Sequence, residues 1–211
     1  MRPAPARRFP PEVLTDAEVR ALIGVVPGPA FSRARNRALL AVLYRAGLRL
    51  NEALCLRPKD VDPDAGSIRV LFAKGGRART AGVDAGALAY LAAWAAHRAA
   101  LAVPPDAPLF CSRSGRGVAS AYVRRLLPDL ARRAGVSKRV HAHGLRHTHA
   151  AQLRAEGVDI GIISKQLGHS SLFTTVLYLD HIAPTAVVRA VRARAWPLTG
   201  RPTPGGAGAP G

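Results

Sequence analysis

The 211 residues carry 31 Lys and Arg against 13 Asp and Glu, a formal charge of +18, and are 48% hydrophobic but only 5% aromatic. That supports one good-sized core built from Leu, Val and Ile, and the charge excess points to a polyanionic partner, with nucleic acid ahead of an anionic membrane surface. No apolar run approaches the roughly 18 residues that span a bilayer, no secretory leader pattern opens the chain, and Cys55 and Cys111 have neither metal-type spacing nor a disulfide framework; two reduced thiols in or near the core of a cytoplasmic protein are expected.

Residues 1–11, rich in Pro, Ala and Arg, read as a flexible arm or linker, residues 12–196 as one domain, and the Pro/Gly-rich residues 197–211 as a disordered tail. Thr15-Asp-Ala-Glu18 spells a capping box, so a helix is predicted from there to about Val25, broken by Pro27-Gly28-Pro29. Ser32 is predicted to cap a second helix through Arg45, with Leu39, Leu40 and Leu43 as its buried stripe and Gly47 as terminator. A short helix over Asn51–Arg57 ends at Pro58. Ser67–Ala73 and Arg79–Val83 flank Lys74-Gly75-Gly76-Arg77 and predict a β-hairpin. Helices follow over Ala85–Leu101 and Val118–Ala134, with a short strand at Pro108–Cys111 between them and Pro128 kinking the second helix or starting a new one.

On a wheel of that second helix Arg124, Arg125, Arg132 and Arg133 share one half, while Val123, Leu126, Leu127, Leu130 and Ala131 share the other. Between Pro108 and Val158 ten Lys/Arg, including Lys138 and Arg139, face two acids, beyond what solubility needs. This stretch is the expected DNA-facing surface, with Arg77 and Arg79 of the hairpin adding to it. Ala142–Ala155 is a further helix closed by Gly157, and Asp159 caps the next one through Gln166. Tyr178 falls in a short helical segment, and Pro184–Ala195 forms a last amphipathic helix.

The chemistry gathers between Val140 and Tyr178. In His141-Ala-His143-Gly-Leu-Arg146-His147-Thr-His149, His143 and Arg146 are three apart and share a helical face. Leu167-Gly168-His169 reads as a helix ended by glycine, with the histidine just past it on an exposed turn. Two imidazoles, a guanidinium and the Tyr178 phenol could thus meet one phosphodiester. With no strong acid beside them, charge neutralisation is favoured over metal chemistry. His143 and His147 also have the i, i+4 spacing that chelates zinc, but no cysteine or third ligand is evident, and neither metal nor other cofactor is expected.

H-x-L-R-H-T followed by L-G-H-S-S and T-T-x-x-Y resembles the catalytic core of the tyrosine recombinases, the phage-integrase and Xer-type family. Gly47-Leu48-Arg49-Leu-Asn51-Glu52-Ala-Leu resembles the family's first-arginine motif, with Asn51 in place of a more usual serine. Ala73-Lys74-Gly75-Gly-Arg77-Ala-Arg79 resembles its hairpin lysine. The likeness runs in order from about Leu14 to Trp196. It implies a mainly α fold with a small antiparallel β-sheet, the DNA breaking-rejoining architecture. It also implies that Tyr178 attacks the phosphate, Arg49 and Arg146 grip its non-bridging oxygens, and His143 takes or orients the phenolic proton. His169 would hydrogen-bond the phosphate, Lys74 would protonate the leaving 5′-oxygen, and Glu52 would buttress Arg49. The implied partners are double-stranded DNA, a homotetramer on two DNA sites and accessory proteins, in the cytoplasm on the nucleoid. Because the pattern begins by Leu14, these residues are expected to lack the family's usual N-terminal clamp domain, as either a catalytic fragment or a minimal recombinase would. The rival reading is a catalytically silent descendant that only occupies DNA sites; six chemically competent residues at the catalytic positions favour the enzyme.

Overall fold

Thr15 opens the first helix as its capping box requires: its hydroxyl accepts from the Glu18 N–H, and the Glu18 carboxylate accepts from the Thr15 N–H at 2.7 Å. A computed structural model of the chain describes residues 12–71, 78–101 and 103–169. Lys74 and Arg77 with the turn predicted for them, Tyr178, the helix predicted over Pro184–Ala195, and residues 1–11 and 197–211 lie outside the described residues.

Helix α1 (Asp16–Gly24) leads into α2 (Ala30–Arg45), and α3 (Leu50–Cys55) follows directly. The sheet is three-stranded and antiparallel, β1 (Val61–Asp62), β2 (Ser67–Val70) and β3 (Arg79–Gly82), in that order. Val70 pairs with Arg79 and Ser67 with Gly82, so the predicted hairpin forms in register. The rest is α4 (Ala85–Ala99), α5 (Ser120–Arg133), α6 (Ala142–Ala155) and α7 (Ile160–Leu167). The mainly helical class with a small antiparallel sheet is therefore the observed one.

Helix α2 lies at the centre because its C-terminal half is apolar all round. Every residue from Ala38 to Tyr44 is buried, and the helix packs against α3, α4 and α6. On α4, Trp94 meets Phe31 edge to face at 5.0 Å and donates its indole N–H to the Leu109 carbonyl at 2.8 Å. Each large side chain so buried contributes roughly 1.5–3 kcal/mol.

Several local expectations shift. Ser32 does not cap α2; the helix starts two residues earlier at Ala30, and the Ser32 hydroxyl donates to the Pro29 carbonyl within the first turn. Pro128 does not start a new helix: α5 runs through it, with Pro128 exposed so that water can satisfy the carbonyl its missing N–H leaves. Pro108–Cys111 makes only one isolated bridge, Cys111 to Gly117, and β1 enters the sheet unforeseen. Cys111 is buried, whereas Cys55 is exposed at the end of α3. No helix among the described residues is long and apolar enough to cross a membrane.

Candidate active site

Arg146 sits one turn into α6, is 1% exposed, and is seated by main-chain oxygens. It donates to the Gly47 carbonyl at 2.7 Å and to the Leu167 carbonyl at 2.5 Å. These carbonyls lie where α2 and α7 end, so the partial negative ends of two helix dipoles converge on a buried cation. Gly47 is required there. Its φ is +62°, and a Cβ would lie 2.5 Å from Cδ2 of His149.

Arg49 precedes α3 and is held differently. Its own N–H and its guanidinium both reach Glu52, at 2.9 and 2.8 Å, and the guanidinium also donates to the Gly168 carbonyl at 3.4 Å. Arg49 and Arg146 thus grip consecutive carbonyls of the turn that delivers His169. Glu52, 3% exposed, takes two more hydrogen bonds from Arg79, at 3.0 and 2.7 Å. Burial pushes the Glu52 carboxyl upward, but hydrogen bonds from Arg79 and Arg49 overcome it and hold the pKa at about 2.

Arg79 departs from the expectation of a DNA-facing side chain. Its side chain is 10% exposed, forks onto Glu52, and donates its Nε–H to the Gln166 carbonyl at 3.2 Å. The alternation along β3 contains the signal, because Arg79 shares a face with the buried Ala81. Gln166 itself was not foreseen. Its amide accepts from the Gly82 N–H at 2.8 Å and donates to the Gly82 and Ala46 carbonyls, at 2.9 and 3.1 Å, which fixes α7 against β3 and the end of α2.

The histidines divide by environment. His141 is the N-cap of α6, its Nδ1 accepting from the Gly144 N–H at 3.0 Å. His143 is exposed at the mouth; desolvation, Arg146, His141 and Arg49 lower its pKa. His143 meets His147 edge to face at 4.4 Å, and His147, buried, is held neutral with a pKa of about 3. Desolvation, then Arg146, Arg49, Arg79 and His143, bring His169 to about 4. The structure therefore brings Arg49, His143, Arg146 and His169 into one electrostatic neighbourhood, cationic through guanidiniums while its imidazoles stay neutral. Among the described residues no group of three or more His, Cys, Asp or Glu converges as a metal site would.

This neighbourhood opens into a cleft of about 1210 Å³. Among the described residues that line it are Arg49, Arg124, Arg132, Lys138, Arg139 and Arg146, with Glu52 as the single acid. Arg124, Arg125, Arg132, Arg133 and Arg139 are exposed, and the apolar half of α5 is buried as its wheel predicts. Some of this charge is already engaged. Arg132 and Arg133 pair with Asp129, and Lys138 donates to Glu18 and to the Val13 carbonyl, at 2.8 and 2.9 Å.

A profile of the phage integrase family matches residues 12–183, and the chain belongs to that family. It is 36% identical over 202 residues to the tyrosine recombinase XerC of Xanthomonas axonopodis pv. citri (strain 306), covering 91% of this chain and 65% of the relative. Against other XerC relatives it spans as little as 55% of their length. Among solved structures, the XerA recombinase aligns with a TM-score of 0.76 at 29% identity, over 90% of this chain and 68% of that one. The XerH site-specific recombinase, in a post-cleavage complex with its palindromic difH substrate, aligns with a TM-score of 0.73 at 29% identity, over 88% and 54%.

Proposed function

We propose that this chain is the catalytic part of a site-specific DNA recombinase that cuts and rejoins strands through a 3′-phosphotyrosyl intermediate, without metal or ATP. The observation that carries the reading is the convergence of Arg49 and Arg146 on the Leu167–Gly168 turn, with His169 and His143 beside them.

A phosphodiester entering this site meets two guanidiniums whose geometry is fixed before it arrives. Such preorganised charge stabilises the oxygens on which negative charge redistributes in the transition state. His169, neutral at pH 7 with a pKa near 4, donates a hydrogen bond and adds no charge until the anionic phosphate raises its proton affinity. Tyr178 attacks phosphorus, forming a phosphotyrosine bond as the bond to the 5′-oxygen breaks. The phenolic proton passes to His143, and Lys74 supplies a proton to the departing 5′-oxygen, which leaves as a hydroxyl. The energy of the broken bond stays in the intermediate, so a second strand's 5′-hydroxyl reverses the step. Double-stranded DNA lies along the basic cleft, and exchange requires two DNA sites and four protomers, with accessory proteins assisting, in the cytoplasm where the nucleoid lies.

The test is covalent capture. The chain is incubated with nicked duplexes of randomised sequence, and denaturation-resistant adducts are recovered and sequenced. The unmodified chain forms adducts and Tyr178→Phe forms none while still binding duplex; adducts from the Phe variant would refute the assignment.

A further inference from the structure

We infer that Arg79 is a positioning residue for this reaction and not a phosphate contact; the inference rests on the function proposed above. A buried carboxylate facing one arginine would hold it in place and cancel its charge. Glu52 faces two. Arg49 and Arg79 together present four donors to its two oxygens, which fills the acceptor capacity of a carboxylate and leaves the trio with one positive charge. Arg79 therefore fixes Glu52, and through it the Arg49 fork, while letting Arg49 keep its cationic character towards the cleft.

The same guanidinium supports the histidine turn. Its Nε–H holds the Gln166 carbonyl, three residues before His169. Gly168, with φ +64°, lies directly on it: a Cβ at Gly168 would fall 2.6 Å from Cδ, 2.8 Å from Nε and 2.9 Å from Cζ of Arg79. The absence of a side chain at the centre of Leu-Gly-His is thus needed for contact with Arg79 as well as for ending α7. One side chain from the sheet sets the height of the His169 turn and the direction of Arg49. A side chain 10% exposed and committed in this way is not positioned to reach a phosphate.

The experiment compares Arg79→Met, Arg49→Lys and the double variant on a nicked duplex recovered from the capture above. Single-turnover adduct formation, the salt dependence of binding and the unfolding temperature are followed. Arg79→Met is expected to slow adduct formation by roughly 10²-fold and to leave the salt slope unchanged. Added to Arg49→Lys, it should cost only a few-fold more, because both changes disable the same fork. Fully multiplicative losses would mean that Arg79 only stabilises the fold, and would overturn the inference. So would a salt slope lower by about 0.9, the mark of one lost phosphate contact. If Arg79→Met does not fold, Arg79→Lys keeps a cation beside Glu52 without the fork and is read by the same cycle. No adduct from the unmodified chain with any duplex removes the proposed function and this role with it; adducts with multiplicative losses remove only the role of Arg79.

Discussion

Arg49 and Arg146 face the same turn but are held by opposite means. Arg146 is buried and rests on carbonyls at the ends of α2 and α7, whereas Arg49 is about a third exposed and rests on a shared carboxylate. The first arrangement makes the cation a structural tie between two helices that are distant in sequence. The second leaves it adjustable, held by a carboxylate that Arg79 would keep in place without it. Two residues assigned one chemical task thus carry different structural loads.

Arg146→Ala is the largest test of that difference. It leaves two buried carbonyls without their donor, at about 1–3 kcal/mol each, so the unfolding temperature should fall by roughly 4–24 °C for a chain of this size. Arg49→Ala should move it far less, while both abolish most adduct formation, by about 10²–10³-fold. Equal thermal shifts would contradict the comparison.

Glu52 gives the next effect. Its folded pKa of about 2 lies below the ordinary 4.5, so its contribution is full above pH 4.5 and disappears as pH falls towards 2. The size at neutral pH is about 3 kcal/mol. Glu52→Gln should therefore lower the denaturant midpoint at pH 7 and flatten its pH dependence between 4.5 and 2.

His149 acts with the same proton balance in a higher pH window. It is buried, and desolvation, then Arg45 and Arg146, lower its pKa from 6.5 to about 4. The unfolded chain takes up a proton that the folded one refuses, so stability declines as pH drops from 6.5 to 4, by up to about 3 kcal/mol. His149→Gln should reduce that slope whatever it does to stability at pH 7; an unchanged slope in denaturant titrations would show that other groups cause the decline.

The smallest effect belongs to the rim. Arg132→Gln should leave the unfolding temperature nearly unchanged and lower the salt slope of DNA binding by about 0.9. A thermal effect comparable to that of Arg146→Ala would mean that the rim is part of the scaffold.

What the sequence made legible follows from the range of the interactions. The Thr15 box, the Asp159 cap and the Gly168 terminator each concern residues a few positions apart, and each forms as its spelling indicates. The two-sided wheel of α5 is equally local. Arg79 and Gln166 were not legible in the same way because their partners lie far along the chain, Glu52 27 residues away and Gly82 84 residues away. No short pattern marks a glutamine whose amide will take the place of a neighbouring strand. Ser32 misled because a hydroxyl near a helix start is a strong signal, yet the chain turns into the helix at Pro29.

The seat of Arg146 bears on how such a gene would decay. A lineage that no longer needed strand cleavage could lose Arg49 with modest harm to the fold, but losing Arg146 would release the junction of α2 and α7 and expose the chain to proteolysis. An intact Arg146 is therefore weak testimony that a descendant is still active. An intact Arg49, less constrained by folding, is the more telling survivor.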